Sequence, residues 1–194
     1  VQAQLAGWFT QYHNRLASAY DPVLEQTVYR NLGSVQKYGI DANVSYSPIP
    51  QLTTYLFASW NHSEIQNDVQ TGVCSAISAI TGCTAIGQAI FAPTNGKRES
   101  GSGAYSYGGT IRGELGPVEI GVTAKRSGGR YIYDTNLPVF GGTTAAQTLL
   151  YNAKTEPYWL VNLDARVNME FIGLNDQTYF QLNVYNLFNQ FSVG

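Results

Sequence analysis

Apolar and polar side chains alternate with a period of two along much of this chain of 194 residues. From Tyr38 to Ser47 every second residue is apolar, and the residues between them are small or polar. The same pattern runs from Trp159 to Phe171, where Leu160 alone breaks the polar set. A period of two is typical of a β-strand with one apolar face, and about 9–11 such residues suffice to cross the core of a bilayer. The pattern therefore predicts an all-β protein with strands long enough to span a membrane.

Seven strands are predicted in this way, and the connections between them follow a rule. The predicted strands cover positions 1–14, 28–47, 52–66, 101–115, 118–133, 157–171 and 177–189. Short turns rich in Pro, Gly, Asn or Asp alternate strictly with long connections at about 15–27, 67–100 and 134–156. An antiparallel meander then has all its short turns at one end and all its long loops at the other, as transmembrane β-barrels do. Tyr and Trp near the predicted strand ends favour the same interpretation, whereas the facing of the segment 51–65 stays open.

The composition excludes several classes of protein. Charged residues make up 12% of the chain, against about 25% in a typical soluble domain. The net charge of -2 argues against nucleic-acid binding, and 44% apolar residues argue against a disordered chain. No run of about 20 apolar residues is present, so no membrane-spanning helix is expected. A secreted β protein or a transmembrane β-barrel fits these numbers.

Few residues have the spacing of a catalytic or metal-binding site. Cys74 and Cys83 are the only cysteines, and the segment between them is rich in Ser, Thr and Gly without His or acidic residues. We therefore expect a local disulfide formed in an oxidising compartment, with two free thiols as the alternative. His13 and His62 are expected to be polar surface residues, with contact to a ligand as the alternative, and neither has the spacing of a metal ligand. No catalytic residue, cofactor or metal site is predicted, so we do not expect an enzyme.

Two sequence elements point to a known family. The first lies at positions 29–65, where an Asn-x-Gly element precedes a Gly-Ile-Asp strand start, a short turn and a Tyr-rich strand. Its defining residues are Asn31, Gly33, Gly39 and Asp41. The second is an Asn-Leu-Phe-Asn element near the end of the chain, formed by Asn186, Leu187, Phe188 and Asn189. In this order, the two elements resemble the C-terminal part of the β-barrel of TonB-dependent outer-membrane receptors; the long loops match nothing in particular.

The resemblance implies that residues 1–194 are a portion of a larger barrel domain. Barrels of such transporters have about 22 strands, so a seven-stranded chain lacks most of the barrel, the plug domain and the segment that contacts TonB. No signal peptide is visible at the N-terminus, which fits a mature product or a piece of a longer protein. Because an odd number of strands cannot close as a bacterial barrel, we expect the 194 residues alone to form an open, curved antiparallel sheet.

The resemblance also implies a function, which is active import across the bacterial outer membrane. The ligand, scarce or too large for porins, would be a siderophore, a cobalamin-like compound, a glycan or another nutrient. TonB would act through the plug, and the lipid bilayer and the rest of the barrel would be the other partners. Charged residues on the polar strand faces are expected to line the wetted barrel interior, with direct substrate contact as the alternative. They are Arg112, Glu114, Asp164, Arg166 and Glu170.

Two other classes of protein stay open. A small outer-membrane barrel with a structural or hydrolytic role would need an eighth strand and, for hydrolysis, an oriented Ser or Asp with a His. A secreted β-sandwich that binds a ligand would expose polar residues on the faces that are predicted to contact lipid.

Overall fold

The computed structural model describes residues 1–21, 26–31, 33–77, 82–143 and 146–191. Within these ranges the chain is all-β, with one 3-10 turn at Glu170–Ile172. The strands are β1 (Gln2–Tyr12), β2 (Leu16–Asp21), β3 (Gln26–Asn31), β4 (Val35–Ile49), β5 (Leu52–Ile65), β6 (Val69–Val73), β7 (Ala89–Ala92), β8 (Tyr105–Leu115), β9 (Val118–Ser127), β10 (Val139–Thr143), β11 (Ala146–Tyr151), β12 (Tyr158–Asn168) and β13 (Tyr179–Val184). No helix in the described ranges is long and apolar enough to span a membrane.

The main sheet has seven strands in the order β1-β4-β5-β8-β9-β12-β13. Every neighbouring pair is antiparallel. In the described residues β1 pairs only with β4 and β13 only with β12, so the sheet is open at both edges. This confirms the predicted open antiparallel sheet of seven strands.

Each of the three long connections contains a two-stranded hairpin, which the sequence pattern did not predict. The pairs are β2–β3, β6–β7 and β10–β11. The predicted strand at 28–47 is therefore wrong as one element, because β3 belongs to a hairpin and β4 starts only at Val35. The break has a local cause: Gly33 has a φ of +69°, a conformation that glycine adopts without steric cost. The Asn31 side chain stabilises this turn by accepting a hydrogen bond of 2.8 Å from the Gly33 N–H.

Several predicted strand ends also need correction. The alternation expected to reach Phe171 ends at Asn168, because the next residues form the 3-10 turn, closed by a 2.9 Å bond from Gly173 N–H to the Glu170 carbonyl. The last predicted strand, 177–189, shrinks to β13. Asn186 and Asn189 have left-handed backbones with φ of 52° and 50°, which Asn tolerates better than most residues and which end the strand.

The register of the main sheet separates two faces, since residues directly opposite each other point to the same side. We define the apolar face by Leu5, Phe9, Tyr38, Ile40, Leu56, Trp60, Tyr107, Ile111, Ile120, Val122, Trp159, Leu163, Phe180 and Leu182. We define the polar face by Gln4, Asp41, Asn43, Ser59, Ser106, Thr110, Arg112, Glu119, Thr123, Lys125, Asn162, Asp164, Arg166 and Gln181. The register also settles the facing of 51–65, because Leu56 and Trp60 lie on the apolar face while Phe57 and Ser59 lie on the polar one.

Candidate functional site

The apolar face is uncovered over its whole width. Leu56, Ile111 and Ile120 are 52%, 56% and 48% exposed, and each comes from a different strand of the sheet. In the described part of the chain, the buried hydrophobic cluster comprises only Val35, Ile65 and Val69, which lie at the end of the sheet that carries the long connections. The sheet thus presents a broad apolar surface on which no second layer formed by the described residues packs.

Aromatic side chains form a band across the apolar face, near the end of the long connections. The Tyr38 ring stacks on His62 with centroids 5.1 Å apart and meets Trp60 edge-on at 6.0 Å. Further along the same face, Tyr107 on β8 contacts Trp159 on β12 edge-on, with ring centroids 5.5 Å apart. Rings with one wet and one apolar end favour a boundary between water and an apolar medium.

A charged network on the polar face joins three adjacent strands. Arg112 on β8 binds the Glu119 carboxylate of β9 at 2.9 Å and the Asp164 carboxylate of β12 at 3.0 Å. The second contact passes over Gly121, where a Cβ would lie 2.4 Å from the Asp164 carboxylate. Arg112 therefore reaches across a whole strand because the position between the two partners has no side chain.

The other charged residues predicted for this face have different surroundings. Glu114 lies directly opposite Glu119 in the register. Arg166 lies over the Tyr179 ring, 3.9 Å from its centroid, a favourable cation–π geometry. Glu170 lies in the 3-10 turn rather than on β12, so the expected position on the strand face is wrong for this residue.

Glu99 forms a second charged centre that sequence analysis did not single out. Its carboxylate is almost fully buried and binds Arg15 Nε at 2.9 Å and the Lys37 ammonium group. Arg15 follows β1, Lys37 belongs to β4, and Glu99 lies in the connection between β7 and β8. The contact therefore fixes that connection to the first two strands of the main sheet. One sequence signal was present. The segment 69–96 contains no charged residue, and three charged residues, Lys97, Arg98 and Glu99, follow it directly.

Arg98 anchors the same connection to β5 without a carboxylate partner among the described residues. Its Nη2 donates to the Asn61 carbonyl at 2.9 Å, to Asn61 Oδ1 at 2.6 Å and to the Gly103 carbonyl at 3.0 Å. Burial lowers the pKa of the Arg98 guanidinium from its ordinary value, since desolvation disfavours the charged form. The group nevertheless stays protonated at neutral pH and contributes a positive charge that no carboxylate of the described residues pairs with.

A polar cavity of about 310 Å³ lies on the polar face close to this anchor. We call it the polar pocket and define it by Ser59, Asn61, Ser106, Lys125, Ser127 and Tyr158. Arg130 also lines it. Two glycines, Gly103 and Gly128, form part of its wall. The cavity exists because these positions contribute no side chains.

The two cysteines form the predicted disulfide. Cys74 and Cys83 are bonded with their Cα atoms 5.8 Å apart, and both are buried. The bond closes the segment that follows β6, and Cys74 N–H donates to the Gln88 carbonyl at 2.8 Å. His13 and His62 are partly or fully exposed, and within the described residues no three His, Cys, Asp or Glu side chains come together to hold a metal ion.

The residues of the two sequence elements have structural roles. Gly39 allows close packing, since a Cβ there would lie 2.4 Å from the Trp60 carbonyl and 2.7 Å from the Trp8 ring. Asp41 stands opposite Ser59 in the row of residues that leads to the polar pocket. Asn186 Oδ1 accepts a hydrogen bond of 2.8 Å from Gln190 N–H.

The element formed by residues 186–189 lies after β13 rather than within a strand, so its expected strand position is wrong. Leu187 is nevertheless hydrogen-bonded to β12, because its N–H donates to the Val161 carbonyl at 2.7 Å. Phe188 is largely exposed. A comparison with models of known protein families finds no match, and none of the curated proteins matches the chain.

Proposed function

We propose that this chain forms part of the transmembrane β-barrel of a TonB-dependent import receptor in the bacterial outer membrane. The observation that carries the proposal is the uncovered apolar face. Monomeric soluble proteins rarely expose contiguous apolar patches beyond a few hundred Å², and this face extends over all seven strands of the main sheet. Lipid hydrocarbon is the solvent that tolerates such a surface without a second protein layer.

The polar side of the same sheet supports a water-filled or plugged interior. It carries the Arg112–Glu119–Asp164 network together with Ser and Thr side chains such as Ser106, Thr110 and Thr123. Alternation of a lipid-facing and a polar interior residue along each strand is the general rule for outer-membrane barrels. A soluble sandwich places its apolar face against a second sheet, and the described residues supply none.

The open edges support a position inside a larger barrel. Unpaired backbone groups at β1 and β13 would each cost several kcal/mol in hydrocarbon. Further strands of the same receptor would satisfy these groups and close the wall. The long connections, with their hairpins, all leave one end of the sheet, as extracellular loops do in such barrels, and they would recognise the ligand together with the plug.

The import function is tested in cells that make the complete protein that contains this chain. We expect it in the outer-membrane fraction. We also expect its deletion to abolish the uptake of a radiolabelled nutrient from a panel of siderophores, cobalamin-like compounds and glycans. A protonophore should abolish the same uptake in wild-type cells, because the proton gradient drives import through TonB. Recovery of the protein in the soluble fraction would contradict the membrane location, and uptake that survives the protonophore would indicate a passive channel instead.

A further inference from the structure

The polar pocket contains hydrogen-bonding groups that nothing in the described structure uses. Ser59, Ser106 and Ser127 stand opposite one another on β5, β8 and β9, and Tyr158 on β12 stands opposite Ser127. These four hydroxyl groups form a row across four strands, about 14 Å long at a strand spacing of about 4.8 Å. None of them forms a side-chain hydrogen bond with another described residue. Each of these half-buried hydroxyl groups can both donate and accept a hydrogen bond, so the row is suited to a hydroxylated ligand.

A positive charge lies beside Ser127, near one end of this row. Lys125 lies two residues before Ser127 on β9, on the same face and about 7 Å away along the strand. Its ammonium group has no ion pair or hydrogen bond with another described residue. Arg130 lines the same cavity. Arg98, which has no carboxylate partner in the described part of the chain, holds two further lining residues, Asn61 and Gly103, through their oxygen atoms.

The opposite end of the row carries a negative charge. Asp41 on β4 stands opposite Ser59, three strand spacings from Ser127 and so about 14 Å away. A ligand that lies along the row therefore meets cations at one end, hydroxyl groups in the middle and a carboxylate at the far end. An anionic group fits only the Lys125 end, whereas hydroxyl groups fit the rest of the row.

We infer that the polar pocket binds a hydroxylated organic acid of the size of an acidic sugar, with its carboxylate on Lys125 and its hydroxyl groups on the serine row. The inference rests on the proposed function in one respect, namely that this face of the sheet is open to a barrel interior. It goes further because it specifies the pocket and the chemical class of the ligand. A carboxylate next to an ammonium group gains a charge-assisted hydrogen bond, which is stronger than a neutral one.

The test measures binding to the complete purified protein in detergent micelles by titration calorimetry. The probes are glucuronate, its uncharged counterpart glucose, and inorganic phosphate. We expect glucuronate to bind at millimolar concentrations or below, and at least about tenfold tighter than glucose. Lys125→Gln should weaken glucuronate binding by about tenfold or more, whereas Lys125→Arg should retain most of it.

Lys97→Gln is the matched control, since it removes the same charge from a residue outside the pocket. It should leave glucuronate affinity within about twofold. Ser106→Ala should weaken glucuronate but not phosphate, because phosphate held at Lys125 has no hydroxyl-bearing ring that extends to Ser106. Glucuronate binding that equals glucose binding, or that is absent, or that survives Lys125→Gln, would overturn the inference. Phosphate binding as tight as glucuronate binding, unaffected by Ser106→Ala, would overturn the hydroxylated class of ligand.

Binding by the purified protein needs no energy source, so this test separates the pocket from import. Glucuronate binding without proton-driven uptake in cells would contradict the proposed function and leave the pocket intact. Proton-driven uptake of a neutral nutrient by a protein that binds no glucuronate would overturn the inference about the pocket and support the proposed import function.

Discussion

Glu99→Gln should loosen the connection between β7 and β8, because it removes a buried charge that two cations share. The Glu99 side chain is 7% exposed and binds Arg15 and Lys37, whose side chains are 37% and 18% exposed. Breaking a fully buried ion pair costs about 3–5 kcal/mol. Water reaches both cations here and recovers part of that cost, so we expect a loss of about 2 kcal/mol in the local opening free energy, which is below that range. This corresponds to a roughly thirtyfold change in an equilibrium constant.

Amide hydrogen exchange followed by mass spectrometry measures this loss directly. Three backbone N–H groups of the connection report on it. Arg98 N–H donates to Asn136 Oδ1 at 2.8 Å, Ser100 N–H to Asp134 Oδ1 at 2.7 Å and Gly101 N–H to the Tyr131 carbonyl at 2.9 Å. In Glu99→Gln, peptides that contain these amides should exchange about thirtyfold faster than in the wild type.

Glu64→Gln is the matched control for this measurement. Glu64 lies on β5, its side chain is 42% exposed, and its carboxylate lies 3.7 Å from His62. Because exposed ion pairs contribute little, exchange in the connection should stay within about twofold of the wild type. Equal exchange rates in the two variants would refute the claim that Glu99 holds the connection in place.

Three other substitutions or treatments test the packing. Gly39→Val should lower stability toward urea by about 1–3 kcal/mol, because a Cβ meets the Trp60 carbonyl and the Trp8 ring; Gly7→Val, where a Cβ meets nothing within 4 Å, should change it little. Reduction of the Cys74–Cys83 bond should speed proteolysis between β6 and β7 and leave the main sheet protected, with an expected loss of roughly 2–3 kcal/mol; unchanged cleavage would contradict this. Arg112→Gln should cost less than about 1 kcal/mol in the same urea assay, since all three side chains of its ion pairs are partly exposed to water, and a larger loss would show that the network is effectively buried.

The main sheet was predictable because six of its seven strands are ten or more residues long, and alternation along β4 and β12 showed directly which residues share a face. The hairpins in the long connections were not, since strands such as β6 and β7 have only five and four residues and lie among Gly, Ser and Thr. Strand ends were misplaced where a local turn competes with alternation, as at Glu170, where a 3-10 turn follows directly after β12.

The charged centre and the polar pocket depend on contacts between distant parts of the chain. Arg15 and Glu99 are 84 residues apart, and no local pattern relates them. Ser59, Ser106 and Ser127 each look like an ordinary polar strand residue, and only the register of three strands brings them into one row. The disulfide between Cys74 and Cys83 was predictable because its two residues are close in sequence.

The central claim is that the apolar face contacts lipid hydrocarbon, and spin-label accessibility tests it most directly. Nitroxides are attached to single cysteines that replace Ile111 on the apolar face or its neighbour Thr110 on the polar face, in the complete protein reconstituted in phospholipid vesicles. Cys74 and Cys83 are bonded to each other and so do not react. We predict that the label at 111 collides often with oxygen and rarely with a water-soluble nickel chelate, and that the label at 110 does the opposite. Frequent nickel collisions at 111, or protection of that label from both reagents, would contradict contact with lipid.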